Sequence, residues 1–171
     1  MARSAYKQYQ ATQYDAVGRL LPRLIADAEM AGRTYGLARP GVCEIRALAY
    51  DTAAALLNRI GELGLAWTAA DRAKSAAEYS GEPLLGAFGA YRLAYILTGR
   101  QHAREAIELA MGASAALERV MRSPSPDQLS IYGGLQSAAC RYPIPAQRVC
   151  PLARFRRSRQ AARLCGSWRS P

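Results

Sequence analysis

The feature that most constrains this 171-residue chain is an apolar period of three to four residues, cut at short intervals by glycine and proline. Between residues 14 and 31 the apolar positions are Val17, Leu20, Leu21, Leu24, Ile25 and Ala28. Spacings of three and four put them on one face of a helix. Pro22 lies inside the run and predicts either a kink or a junction of two segments. Residues 34–42 hold two glycines and Pro40 and read as a linker. Further helices are predicted over 44–60, 65–79, 83–97 and 103–121, with turns at 61–64, 80–81 and 99 and a stop at 123–126. Nothing in residues 1–136 sustains the two-residue alternation of a strand, so the expected class is all-α.

The helix pairs read as copies of one another. A shift of 37 residues lays Ala53, Leu56, Leu57, Ile60, Ala69, Ala73 and Ala76 on Ala90, Leu93, Ala94, Leu97, Ala106, Ala110 and Ala113. Ala66 and Ala103 match as well. Small residues at such positions let two helices approach closely. These offsets resemble those of the tetratricopeptide repeat, whose own period is ~34 residues. In this overlay the aromatic slots hold Ala and Ile and a small slot holds Leu57. The resemblance implies a short right-handed array of TPR-like helical hairpins. Leu56, Leu57, Ile60, Leu93 and Leu97 are then expected between helices, against Ala69, Ala73, Ala106 and Ala110. Tyr14, Val17 and Leu21 fit the second helix of an earlier unit, whose first helix would be about 2–11. Leu129, Tyr132 and Gly133 fit the first helix of a later one.

A second resemblance covers residues 9–135. It rests on YDAVGRLLPRLIAD at 14–27, LAWTAADRA at 65–73, GEPLL at 81–85, GRQHAREA at 99–106 and LSIYG at 129–133. In order and spacing these segments resemble the C-terminal helical-repeat region of actinobacterial XRE-type helix-turn-helix transcriptional regulators. The resemblance implies a non-enzymatic sensor or interaction domain, here without its DNA reader; the alternative is a free-standing TPR-like adaptor that binds another protein. Residues 1–50 carry no helix-turn-helix pattern, so no direct sequence-specific DNA contact is expected from this chain. The partners implied are a peptide, a small molecule or a partner protein in a concave groove, with a second copy of the chain as a further candidate.

Charge divides the sequence differently. The formal net charge is +10. Residues 123–171 carry eight arginines against Asp127 alone, so most of the excess lies there. The expected domain is therefore residues 1–136, followed by a basic Arg/Pro/Cys-rich tail over 137–171. That tail has two readings. Arg154-Phe-Arg-Arg-Ser-Arg159 with Trp168 could grip phosphates and bases. Alternatively, the Arg/Pro/Ser/Cys mixture is an out-of-frame reading of GC-rich DNA, and the tail is disordered.

Cys43, Cys140, Cys150 and Cys165 form no C-x-x-C, and a lone histidine cannot complete a zinc site. No metal or cofactor is expected. The N-terminus has no signal-peptide core, and the longest aliphatic run, 53–57, is far short of the ~20 residues of a membrane helix. The expected location is cytoplasmic.

The chemistry candidates are few. No nucleophile elbow, phosphate-cradling loop or H-E-x-x-H is present, so no enzyme is expected. His102 reads as a helix-start residue. In a TPR superhelix the slots of Asn58, Glu62, Tyr91 and Tyr95, together with Asp51, Phe88 and Thr98, would face the groove. Aromatic and amide groups there could hold an extended peptide or small ligand. On the alternative reading, Phe88 and Tyr95 complete a core between hairpins. Arg72, beside Asp71 and after Trp67, is a candidate anion contact or else half of a surface ion pair.

Overall fold

A computed structural model describes residues 1–99 and 102–140. Among them it is all-helical: α1 (Ala2–Gln10), α2 (Tyr14–Tyr35), α3 (Pro40–Arg59), α4 (Leu63–Ser80), α5 (Pro83–Gly99), α6 (Ala103–Val120) and α7 (Pro126–Cys140). The basic segment from residue 141 onward, with both readings of it, lies outside the described residues. α7 runs on to Cys140, four residues past the expected domain end at 136.

Three prolines set where helices begin. Pro40, Pro83 and Pro126 open α3, α5 and α7. Proline suits a first helical turn, because the N–H it lacks would have no intrahelical partner there. The region expected to be a linker over 34–42 is therefore mostly helix. α2 runs to Tyr35, Gly36 turns the chain at φ +89°, and α3 starts at Pro40. Pro22 does not divide α2, which is one helix of 22 residues.

The even-numbered helices begin at a recurring turn. Gln13, Glu62 and His102 precede α2, α4 and α6 with φ/ψ of −83/57°, −78/63° and −89/51°. Each donates its backbone N–H to the carbonyl five residues back: Gln8 (3.0 Å), Leu57 (2.9 Å) and Leu97 (3.1 Å). Each carbonyl then accepts from the residue four ahead: Val17, Ala66 and Ala106. This is the closure of a Schellman-type helix end. The residue before each of the first two N-caps bends the chain, Thr12 at φ 60° and Gly61 at φ 88°.

These turns correct the overlay. They place Glu62 and His102 forty residues apart, not 37. Ala54 and Ala94 are then equivalent, and both are fully buried, as are Ala66 and Ala106 on the helices that follow. Tyr50, Ala53 and Leu57 take the positions of Ala90, Leu93 and Leu97. The 37-residue shift was one helical turn out of step, which preserves much of an apolar stripe while misplacing its ends. Ile60, expected in the core, is 63% exposed. Leu93, Ala69, Ala73, Ala106 and Ala110 are buried as expected, and Leu56, Leu57 and Leu97 are partly buried against the core.

Consecutive helices pack on one another, and α1, α3, α5 and α7 also touch in succession. They form one layer, with α2, α4 and α6 packed between their neighbours. One apolar cluster runs from α1 to α5 around Val17, Leu21, Ala54, Ala66, Ala70 and Ile96. A second joins α5, α6 and α7 around Ala94, Leu117 and Leu135. Among the described residues no helix is long and apolar enough to cross a membrane.

Candidate functional site

The layer of odd-numbered helices carries an open cleft. It has a volume of about 710 Å³ and opens where α3, α5 and α7 begin. Tyr6, Leu48, Leu84, Leu85, Phe88 and Ile131 supply most of its apolar lining. Its charged lining is Arg3, Glu44, Glu82 and Asp127. Helical spacing explains the selection on α3, since Glu44 and Leu48 stand one turn apart on the same face. Leu85 and Phe88 do the same on α5.

Phe88 is the one sequence candidate that lines this cleft. Its ring meets Tyr6 of α1 edge-on, with centroids 5.7 Å apart. Tyr91 and Tyr95 lie further along α5 and pair with each other at 6.4 Å. Tyr91 is not an open groove residue. A Cβ built on Gly134 of α7 would come within 2.9 Å of its ring, so the bare α-carbon is what lets the ring lie against α7. Asn58 and Glu62 sit at the other end of α3, Glu62 as the exposed N-cap of α4, and neither lines the cleft. The five candidates thus divide among cleft, helix interface and turn. Thr98 is buried.

Asp51, assigned to the groove by its slot, is instead fully buried. Its two oxygens accept from Arg92 Nε (2.8 Å) and Nη2 (3.1 Å), which ties α3 to α5. Burial works against the Arg92 charge, but the Asp51 carboxylate outweighs it and holds the guanidinium above its ordinary pKa. Tyr6 and Tyr9 of α1 lie close enough to feel both charges, and burial raises both phenols.

Arg72, though exposed, is engaged by neighbours within the fold. Its Nη1 donates to the Tyr50 hydroxyl (3.2 Å), and the guanidinium lies 5.5 Å over that ring. Tyr50 in turn donates to Glu29 Oε1 (2.8 Å), which also accepts from Arg46 Nε and Nη2. The carboxylate that Arg72 serves is therefore Glu29 of α2, reached through Tyr50, and the network joins α2, α3 and α4. Burial raises the Glu29 pKa, while the bonds from Tyr50 and Arg46 lower it by more, so it sits below the usual range. His102 is the N-cap of α6, 3.6 Å from Glu105.

Sequence reasoning missed Tyr6, Leu48, Leu85, Ile131 and the rim acids. The regular prolines at 40, 83 and 126 were the available signal, because they mark the helix ends around which the cleft forms. Compared with known proteins, the chain matches no family model and no curated sequence.

Proposed function

We propose that this chain is a non-enzymatic interaction domain of a cytoplasmic transcriptional regulator of the XRE type, built as a right-handed array of TPR-like hairpins. The observation that carries the docking role is the open cleft along one layer of helices, lined by the half-buried side chains of Tyr6, Leu48, Leu85, Phe88 and Ile131. Apolar lining with a charged rim suits a peptide segment of a partner. The TPR-like reading draws support from the forty-residue register. It puts Tyr50 and Ala54 where the first repeat needs an aromatic and a small residue, and Ala90 and Ala94 in the same slots of the next. Binding at the cleft would bridge α1, α3, α5 and α7 at once and so bias how the hairpins stack.

Selection from a displayed peptide library on the immobilised full chain tests the docking role. Enriched peptides are expected to bind the protein and to lose binding to Leu85→Arg, whose circular dichroism and melting should match the parent. Peptides that bind both proteins equally would remove the cleft from the proposal.

A further inference from the structure

The rim of the cleft has a charge pattern unlike the chain as a whole. Three carboxylates, Glu44, Glu82 and Asp127, line it against the single guanidinium of Arg3. Arg3 is spent on Glu44, donating from both Nε (3.0 Å) and Nη2. Glu82 and Asp127 make no ion pair among the described residues. They stand where helices begin. The Glu82 carbonyl accepts from Gly86 at the entry to α5, and Asp127 lies in the first turn of α7. Negatively charged side chains suit the partial positive charge of a helix N-terminus.

We infer that the cleft takes a cationic peptide, one carrying arginine or lysine beside bulky apolar residues. This rests on reading the cleft as a docking site. Helix N-termini ordinarily favour anions. Here an acid already occupies each entry, so an anionic ligand would meet carboxylates before it reached any backbone amide. A cationic one meets two carboxylates that make no ion pair among the described residues, in a cleft that Leu48, Leu85, Phe88 and Ile131 also line. Its long side chains can lay their methylenes on that lining while the charged ends reach the rim. Complementary charge of this kind raises the association rate and selects against acidic partners.

The test uses the full chain and three short fluorescein-labelled peptides that differ at fixed positions flanking leucine and phenylalanine. One carries arginine there, one glutamine and one glutamate. Fluorescence anisotropy is expected to show the arginine peptide binding best and weakening as salt rises. The double variant Glu82→Gln, Asp127→Asn removes only exposed charges, and should weaken that peptide about three- to tenfold. Equal binding of the arginine and glutamine peptides, with the double variant indifferent, would overturn the cationic assignment and leave the docking role standing. No binding by any of the three, together with a failed library selection, would end both. A photo-crosslinker replacing Phe155 that is captured at the cleft without added peptide would make the occupant this chain's own basic segment. A dimer that the double variant dissociates would make it a second copy. Either result overturns the assignment to a separate peptide.

Discussion

Asp51 and Arg92 show at the scale of single residues why the candidate site was hard to read. The slot of Asp51 was expected to face an open groove, and the side chain is buried instead. Its partner lies 41 positions away on another helix, however, and no local spacing reports such a pair. Burial converts a groove residue into a clamp. Breaking a buried pair strands one charge, so Asp51→Asn or Arg92→Met alone should lower unfolding free energy by about 3–5 kcal/mol. Replacing both by Leu and Met should recover most of that loss. Urea titration of the two single variants and the double checks this, and a double variant as unstable as the sum of the singles would show no coupling. Glu29 gives a pH-dependent counterpart. Its folded pKa is depressed, so its contribution is present above the unfolded value, ~4.3, and is lost as pH falls through the folded value. Its side chain is a third exposed, which keeps the effect small. The gap in urea midpoint between the parent and Glu29→Gln should be steady near neutrality and shrink as pH falls below about 4.5.

At the scale of elements, the turns that open α2 and α4 share one backbone but not one residue. Gly61 adopts φ 88° at no steric cost, whereas Thr12 holds φ 60° with a β-branched side chain. Gly61→Ala should therefore destabilise by about 1 kcal/mol, and Thr12→Gly should stabilise by a few tenths to about 1 kcal/mol. Thermal melts that moved in the same direction would contradict the shared turn. The helices themselves were legible, because glycine and proline end and open them by local chemistry. The register between copies was not. Alanine fills so many interface positions that a shift of 37 satisfied most of them, and the rotation separating it from 40 is close to one helical turn. The two aromatic contacts that fix helix-to-helix distance, Tyr6 on Phe88 and Tyr91 over Gly134, join elements remote in sequence. Gly134→Ala would push a methyl into the Tyr91 ring. It should cost about 1–3 kcal/mol, read in a urea titration.

At the scale of the molecule, α5 is where the two apolar clusters meet. Leu97 of α5 and Leu109 of α6 pack against both. The first cluster spans α1 to α5 and is reinforced by the buried Asp51–Arg92 pair and by the Glu29–Tyr50–Arg72 network. The second is smaller and draws on α5, α6 and α7; the helices around it hold two buried oxygens, Ser114 Oγ and Gln136 Oε1, without a partner among the described residues, against one, Gln8 Oε1 of α1, at the other end. Buried polar atoms left this way weaken the packing around them. In a chain whose elements touch mainly their neighbours, stability is a sum over local interfaces, and the weaker end opens first. Hydrogen exchange should therefore show amides of α6 and α7 exchanging through smaller openings than those of α3, α4 and α5. Leu117 is fully buried at the centre of the second cluster. Leu117→Ala should cost about 2–5 kcal/mol locally. It should speed exchange in α6 and α7 while leaving α2, α3 and α4 near their parental rates. A uniform loss of protection along the chain would mean that α5 couples both clusters into one cooperative unit. Binding at the cleft, which spans α1 to α7, would then act on the whole array instead of bracing its weaker end.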